Sequence, residues 1–380
     1  MVYPQAKLSA SQLQTQLQKT GDFLHLTRSH ELSMAAFSFD VECKKEPSKA
    51  KVSVLDTGII IFEPLSDISS KYIVLSSGVH GNETAPIEIC NGLIKQLILG
   101  ELPLKHRVLF LFGNPPAINL ERRFVEENLN ILFSGAHSEG LLLDKEQDKG
   151  QGKSLINQER HRALLLENTV RDFFISETEQ ASLVNNKPIE RFHYDLHTAI
   201  RGSKNNKFSL YPYRHNQPWV KEQLQFMLAC GINTILFSNA PTNSISYFSS
   251  NEFGAHAFTI ELGKVRPFGE NDMKNFSDIN RSLTALISAQ PIALKKYKKE
   301  DFNFFEANQI INRYCDNFTF HFSDDVENFT SFSIGTVIAT DGEQEIKIQK
   351  NGEAIIFPNA NVAISQRALL TVIPVDINPE

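Results

Sequence analysis

The sequence predicts an α/β domain with a largely parallel sheet, spanning residues 1–294, followed by a small β-rich domain over 295–380. Three observations carry this reading. From about residue 70 to 290, short apolar runs of strand length alternate with stretches whose apolar residues recur at helical spacing, the mark of strand–helix–strand units. After about residue 295 the pattern becomes alternation punctuated by "TDGE" and "KNGE", whose Asp-Gly and Asn-Gly pairs suit tight hairpins. The chain has 380 residues, 41% hydrophobic and 22% charged. At roughly 150 residues per domain that is enough for one large core and a small one.

The elements follow in order. The first sixty residues hold a polar amphipathic start, then "AAFSFDVEC" and "GIIIFEP", which read as strands of an antiparallel edge. "YIVL" (72–75) reads as a buried strand, and the turn "SSGVHGNET" follows it. A helix comes next, with Thr84 as its cap, Pro86 in its first turn, and Ile87, Cys90, Ile94, Leu97 and Ile98 on one face. "RVLFLFGNPP" is a strand that stops at Gly113 and Pro115. "DKEQDKGQGKS" (144–154) reads as a polar, mobile loop, and about 154–184 as a long helix burying Ala163, Val170, Phe173 and Phe174. "FHYDLHT", "INTILFSN" and "HAFTIELG" are three further strands, and 271–289 is a helix on the stripe Met273, Phe276, Leu283, Leu286 and Ile287.

Charge and composition exclude several classes of function. A net charge of −6 with no long basic patch argues against nucleic acid or an anionic membrane as partner. No run of about 18 apolar residues predicts a transmembrane helix. The start "MVYPQAKLSASQLQTQLQKTG" does not have the form of a secretory signal. Cys43, Cys90, Cys230 and Cys315 are far apart, without zinc-finger or CxxC spacing, which fits reduced thiols in a cytoplasmic protein.

In α/β sheets chemistry gathers where strands end, here after Leu75, Phe112, Leu196 and Ile260. His80 and Glu83 lie in the first of these turns, where glycines let an imidazole and a carboxylate converge. A bare His-x-x-Glu is also common on surface turns. His197, at the end of another buried strand, supplies a third donor, and two histidines with one carboxylate make a zinc site with a position left for water. Asp195 shares the strand face of His197, and reads equally as a partner orienting that ligand or as an ordinary strand-end hydrogen bonder. Glu261 closes the strand "FTIEL", either as a base for a metal-activated water or in a salt bridge with Lys264 or Arg266. "RRFVEENLNILF" carries Arg122, Arg123, Asn128 and Asn130, and an arginine here can stabilise an oxyanion or be a solvated basic pair. The remaining histidines, His193 among them, read as structural.

Five segments in order, "GVHGNETAPIE", "FGNPPAI", "RFVEENLN", "DLHTAIRGS" and "LGKVRPFGEND", spread over most of residues 70–275, resemble the succinylglutamate desuccinylase and aspartoacylase family of zinc carboxypeptidase-like hydrolases. The resemblance implies a zinc carboxypeptidase-like mixed sheet flanked by helices, with a small C-terminal β domain. It also implies one zinc ion per chain and hydrolysis of N2-succinylglutamate to succinate and glutamate, the last step of bacterial arginine breakdown by the succinyltransferase route. By the same resemblance His80, Glu83 and His197 hold the zinc, Glu261 is the general base and later acid, Arg123 polarises the scissile carbonyl and Asn130 helps hold a substrate carboxylate. One position departs, because Ile131 stands where the family pattern has an arginine that would grip a substrate carboxylate. Arg122, Arg201 and Lys264 are the cations that can stand in for it on a small-molecule substrate. Two alternatives remain at this stage: a related N-acyl amino acid deacylase or carboxypeptidase with altered specificity, and a zinc-binding relative without turnover.

Overall fold

The computed structural model describes residues 8–65, 69–139, 157–175, 183–184, 187–215 and 217–377. In chain order the elements are α1 (Ala10–Thr20), α2 (Phe23–Ser29), β1 (Phe37–Glu42), β2 (Lys49–Asp56), β3 (Ile59–Pro64), β4 (Lys71–Ser77), α3 (Thr84–Ile98), β5 (Arg107–Phe112), α4 (Pro115–Leu120), α5 (Gln158–Ile175), the short pair β6 (Leu183–Val184) and β7 (Lys187–Pro188), and β8 (Glu190–Ala199). They continue with β9 (Phe208–Tyr211), α6 (Lys221–Ala229), β10 (Thr234–Phe237), α7 (Ile245–Phe253), β11 (His256–Lys264), α8 (Ser277–Ile287) and β12 (Asn303–Asn312). The remaining strands are β13 (Thr319–Phe320), β14 (Thr330–Ser331), β15 (Val337–Asp341), β16 (Gln344–Lys347), β17 (Ala354–Ile356) and β18 (Arg367–Pro374). The chain forms two compact units: residues up to 197 with 242–257 and 266–292, and residues 198–241 with 258–265 and 293 onward.

In the first unit the strand order is β1-β2-β3-β5-β4-β8. β1, β2, β3 and β5 pair antiparallel, whereas β4 runs parallel to both β5 and β8. The largely parallel sheet expected from strand–helix alternation is therefore a mixed one. Parallel pairing needs a crossover such as α3 between β4 and β5, and the tight connections among β1, β2 and β3 leave room only for hairpins. β4 is covered on both faces, so Tyr72 to Ser77 are all buried and read as one continuous apolar run. One face packs Val74, Leu109 and Leu111 against Leu166, Val170, Phe173 and Phe174 of α5 and Ile245 and Phe248 of α7. α3 buries the predicted stripe Ile87, Cys90, Ile94, Leu97 and Ile98.

Several sequence expectations shift. Thr84 is not the cap of α3. Glu83 holds that position without a side-chain cap bond, and the Thr84 hydroxyl donates instead to the Arg266 carbonyl at 2.6 Å. α5 is shorter than the helix read over 154–184: it ends at Ile175 and Leu183–Val184 is a strand. The ends of that segment and the loop expected at 144–154 fall largely outside the described residues. The last predicted helix is a 3₁₀ turn (Met273–Phe276) leading into α8, and Met273 is exposed rather than buried, because the tighter turn rotates it off the apolar stripe. β9, α6 and α7 were not anticipated.

In the second unit the order is β11-β9-β10-β12-β18-β17-β14, with β9, β10 and β12 parallel and the other pairs antiparallel. Phe208, Leu236, Phe329, Ile356, Leu370 and Val372 form one of its cores. A separate sheet, β13-β15-β16, carries the hairpin expected at "TDGE", with Gly342 at φ 65°. "KNGE" makes no hairpin, since β16 and β17 lie in different sheets. No helix among the described residues is long and apolar enough to cross a membrane.

Candidate metal centre

The turn after β4 is shaped by two glycines with different reasons. Gly78 has φ 64°, a left-handed conformation that side chains resist. Gly81 is needed for space: a Cβ there would sit 2.0 Å from the Ala117 carbonyl carbon at the start of α4. The turn is thus pressed against backbone, and His80 and Glu83 are both 2% exposed.

Glu83 stands at the N-terminus of α3, where the helix dipole favours a carboxylate. Instead of capping the helix it faces two imidazoles. Its Oε1 lies 2.8 Å from His80 Nδ1 and its Oε2 lies 2.9 Å from His197 Nδ1. The Arg123 guanidinium donates to Oε1 at 3.0 Å. The far nitrogens of both imidazoles are held as well: His80 Nε2 lies 2.9 Å from Asn128 Oδ1, and His197 Nε2 lies 2.8 Å from Asp195 Oδ2. His80, Glu83 and His197 each bring a ligand atom within 4.8 Å of the others. Such a set, with the outward nitrogens bonded so that the inward ones keep their lone pairs for a cation, fits a metal ion.

The charges point the same way. Glu83 and Asp195 bring two negative charges and Arg123 one positive. A proton on His197 or a cation among the three donors balances the remainder. Burial alone would raise both carboxyls, but His80 and His197 hold Glu83 well below the usual range, and His197 holds Asp195 down. Burial works against the proton on His197, yet Asp195 and Glu83 push that imidazole well above its ordinary value. Burial, then Arg123, pushes His80 down.

A second layer holds the segment that brings Arg123 and Asn128 to this point. Asn128 starts a 3₁₀ turn, Leu129–Ile131, and its Oδ1 accepts from Asn130 N as well. Glu159, at the start of α5, accepts from the backbone of Val125 at 2.7 Å and Glu126 at 3.2 Å. Arg160 grips Glu127 with two nitrogens, at 2.7 and 2.9 Å. Glu159→Ala should lower unfolding free energy by about 1.5–3 kcal/mol, the usual worth of hydrogen bonds to a charged group. Urea titration checks this, and an unchanged midpoint would show that the clamp is idle.

The structure brings His80, Glu83, His197, Asp195 and Arg123 together. Arg122 is exposed, and Asn130 is half-buried with its amide oxygen lacking a partner among the described residues. Ile131 is half-buried at the end of its turn. Glu261, 7% exposed on β11, Arg201, bonded to the Asp324 carbonyl, and exposed Lys264 belong to the second unit. Sequence reasoning missed Asn128 as a partner of His80 and set His193 aside. His193 is fully buried and bonded to Ser76 and Ser249. Its signal was present as His-x-Asp-x-His, which puts residues 193, 195 and 197 on one face of β8.

The model of the succinylglutamate desuccinylase/aspartoacylase catalytic domain matches residues 69–287, and that of the AstE/AspA barrel-sandwich hybrid domain matches 300–375. The chain belongs to the succinylglutamate desuccinylase/aspartoacylase family. Within it, the chain is 45% identical to a succinylglutamate desuccinylase of Pseudoalteromonas atlantica, over 98% of this chain and 99% of the relative. It is 46% identical to that of Shewanella amazonensis, over 96% and 98%. Among solved structures, the succinylglutamate desuccinylase of Vibrio cholerae aligns at a TM-score of 0.78 with 32% identity, covering 94% of this chain and 96% of that one. Murine aminoacylase 3, at 14% identity and a TM-score of 0.52, shares the fold of the family.

Proposed function

We propose that this chain is a zinc-dependent amide hydrolase that cleaves N2-succinyl-L-glutamate to succinate and L-glutamate, the last step of arginine catabolism by the succinyltransferase pathway. The observation that carries the reading is the buried His80–Glu83–His197 donor set with its outward nitrogens held by Asn128 and Asp195. The full-length similarity to relatives named succinylglutamate desuccinylase supports the substrate. We assign the hydrolase domain to residues 1–294 and a small β-rich domain to 295–380.

His80, Glu83 and His197 are the residues to hold zinc. The ion, when bound, supplies a Lewis acid and makes a water acidic enough to attack near neutral pH. Asp195 and Asn128 fix the ring orientation of the two histidines. Arg123 is the donor to the carbonyl oxygen as it gains charge, where one such donor is worth about 10²–10³ in rate. Glu261 takes a proton from the attacking water and returns it to the leaving amine. Asn130 is the residue to help hold a substrate carboxylate, through its amide NH₂ as donor.

Ile131 is the observation that favours a second reading, a related deacylase or carboxypeptidase with altered specificity. An isoleucine cannot make the two-pronged bond that an arginine makes to a carboxylate. Ile131→Arg should raise kcat/KM for N-succinylglutamate about tenfold to a hundredfold, the equivalent of about 1.5–3 kcal/mol. The test is glutamate release by the zinc-loaded chain and by this variant, beside a panel of N-acyl amino acids. A better substrate in the panel, with no gain from the arginine, selects the second reading. Absence of turnover on every substrate overturns both.

A further inference from the structure

Behind the candidate metal centre a chain of hydrogen bonds runs inward through fully buried groups. Ser249 Oγ, on α7, lies 2.6 Å from His193 Nδ1, and His193 Nε2 lies 2.8 Å from Ser76 Oγ, on β4. Ser76 Oγ donates to Asp195 Oδ1 at 2.6 Å, and Asp195 Oδ2 meets His197 Nε2 at 2.8 Å. Ser76, His193, Asp195 and Ser249 are each 0% exposed. Parallel pairing of β4 with β8 places Ser76 opposite Asp195, which sets the contact.

The direction of each bond can be deduced. The Asp195 carboxylate only accepts, so the Ser76 hydroxyl hydrogen points to it. The Ser76 oxygen must then accept from His193, which places the ring hydrogen on Nε2. Burial pushes His193 down to about 4, so the ring is neutral and Nδ1 keeps a lone pair for the Ser249 hydroxyl. Each polar group in the row has a partner, and the row has one orientation.

We propose that His193 is a positioning residue: fixed in its Nε2–H tautomer by Ser76 and braced at Nδ1 by Ser249, it holds Ser76 so that Asp195 has one oxygen free for His197 Nε2–H, which turns His197 Nδ1 toward the cation. The proposal rests on the zinc reading of the site. It extends the layer behind the metal ligands from Asp195 to two serines and a histidine on three elements. A ligand whose outer partner is fixed pays less to be ordered when the ion binds, and outer partners of metal ligands are worth about 10–100-fold in affinity.

Two measurements test this. Zinc affinity, read by competition with a chromogenic chelator, should fall about tenfold in His193→Leu, at the lower end of the range for outer partners. His193→Gln, whose amide nitrogen can still donate to Ser76, should recover most of it, and Ser249→Ala should show a smaller loss. If His193→Leu does not fold, the other two variants carry the comparison. Unchanged affinity in folded His193→Leu, or in both other variants with no order between them, overturns the proposal. The second measurement is ¹⁵N chemical shifts of the imidazoles in the metal-free wild-type chain. His193 should carry its hydrogen on Nε2 in wild type and become a mixture of tautomers in Ser76→Ala, where the remaining Ser249 hydroxyl can donate or accept. A hydrogen on Nδ1 in wild type overturns the assignment. A chain that binds no zinc defeats the metal reading instead, and the tautomer then decides the role of His193 alone.

Discussion

Glu83→Gln should leave the purified chain without stoichiometric zinc and without measurable glutamate release from N-succinylglutamate. Both Glu83 oxygens face imidazole nitrogens in the structure, and one also accepts from Arg123. An amide keeps the shape but removes the charge, and turns an NH₂ toward a nitrogen whose lone pair a cation needs. A zinc site of four ligands is worth about 10–16 kcal/mol, so an equal share is about 2.5–4 kcal/mol per ligand, or roughly 10²–10³ in Kd. Dialysis against a mild chelator followed by elemental analysis should find about one zinc per wild-type chain and almost none in the variant. Full occupancy in the variant would remove Glu83 from the ligand set, and with it the observation on which the function was assigned.

Glu261→Gln should separate the two readouts. Zinc should stay at the wild-type level, while kcat falls about 10²–10⁴, the usual contribution of a positioned acid–base group, with KM changed little. Glu261 is 7% exposed within β11. Loss of zinc together with activity would make Glu261 a contributor to the metal site rather than a proton carrier. A kcat within tenfold of wild type would end its assignment as the base. The pair of variants separates holding the ion from moving the proton, which a single inactive mutant cannot do.

Much of the fold was legible because its strands carry strong local signals. β4, β5, β8 and β11 are buried on both faces or nearly so, and a run such as Tyr72 to Leu75 admits little else. α3 was legible from its apolar stripe. The elements that escaped are short and locally ambiguous. β9 spans Phe208–Tyr211 and stops beside Pro212, too brief for alternation to show. α7, "ISYFSSNEF", is rich in serine and aromatic residues that favour helices weakly, and its start depends on Ser244 accepting from Tyr247 N. The sheet is mixed, as the family resemblance implied: alternation of strands and helices announces its parallel pairs, and β1 and β3 belong to the antiparallel edge read near the start of the chain, where short turns permit no other pairing.

By itself the sequence determined which residues are the candidates for the chemistry and on which local frame they sit. His80 and Glu83 sit on a glycine turn after a buried strand, and the two-residue period of β8 sets His193, Asp195 and His197 in one row. Only the tertiary structure decided what each of them meets. Asn128 reaches His80 because Glu159 and Arg160 of α5 hold its segment, and Ser76 reaches Asp195 because β4 pairs with β8 in one register. The physical reason is that strand period and turn geometry are local properties. The partner of a buried imidazole is set by the register of one strand against another and by the packing of a helix far along the chain, and no local pattern encodes either.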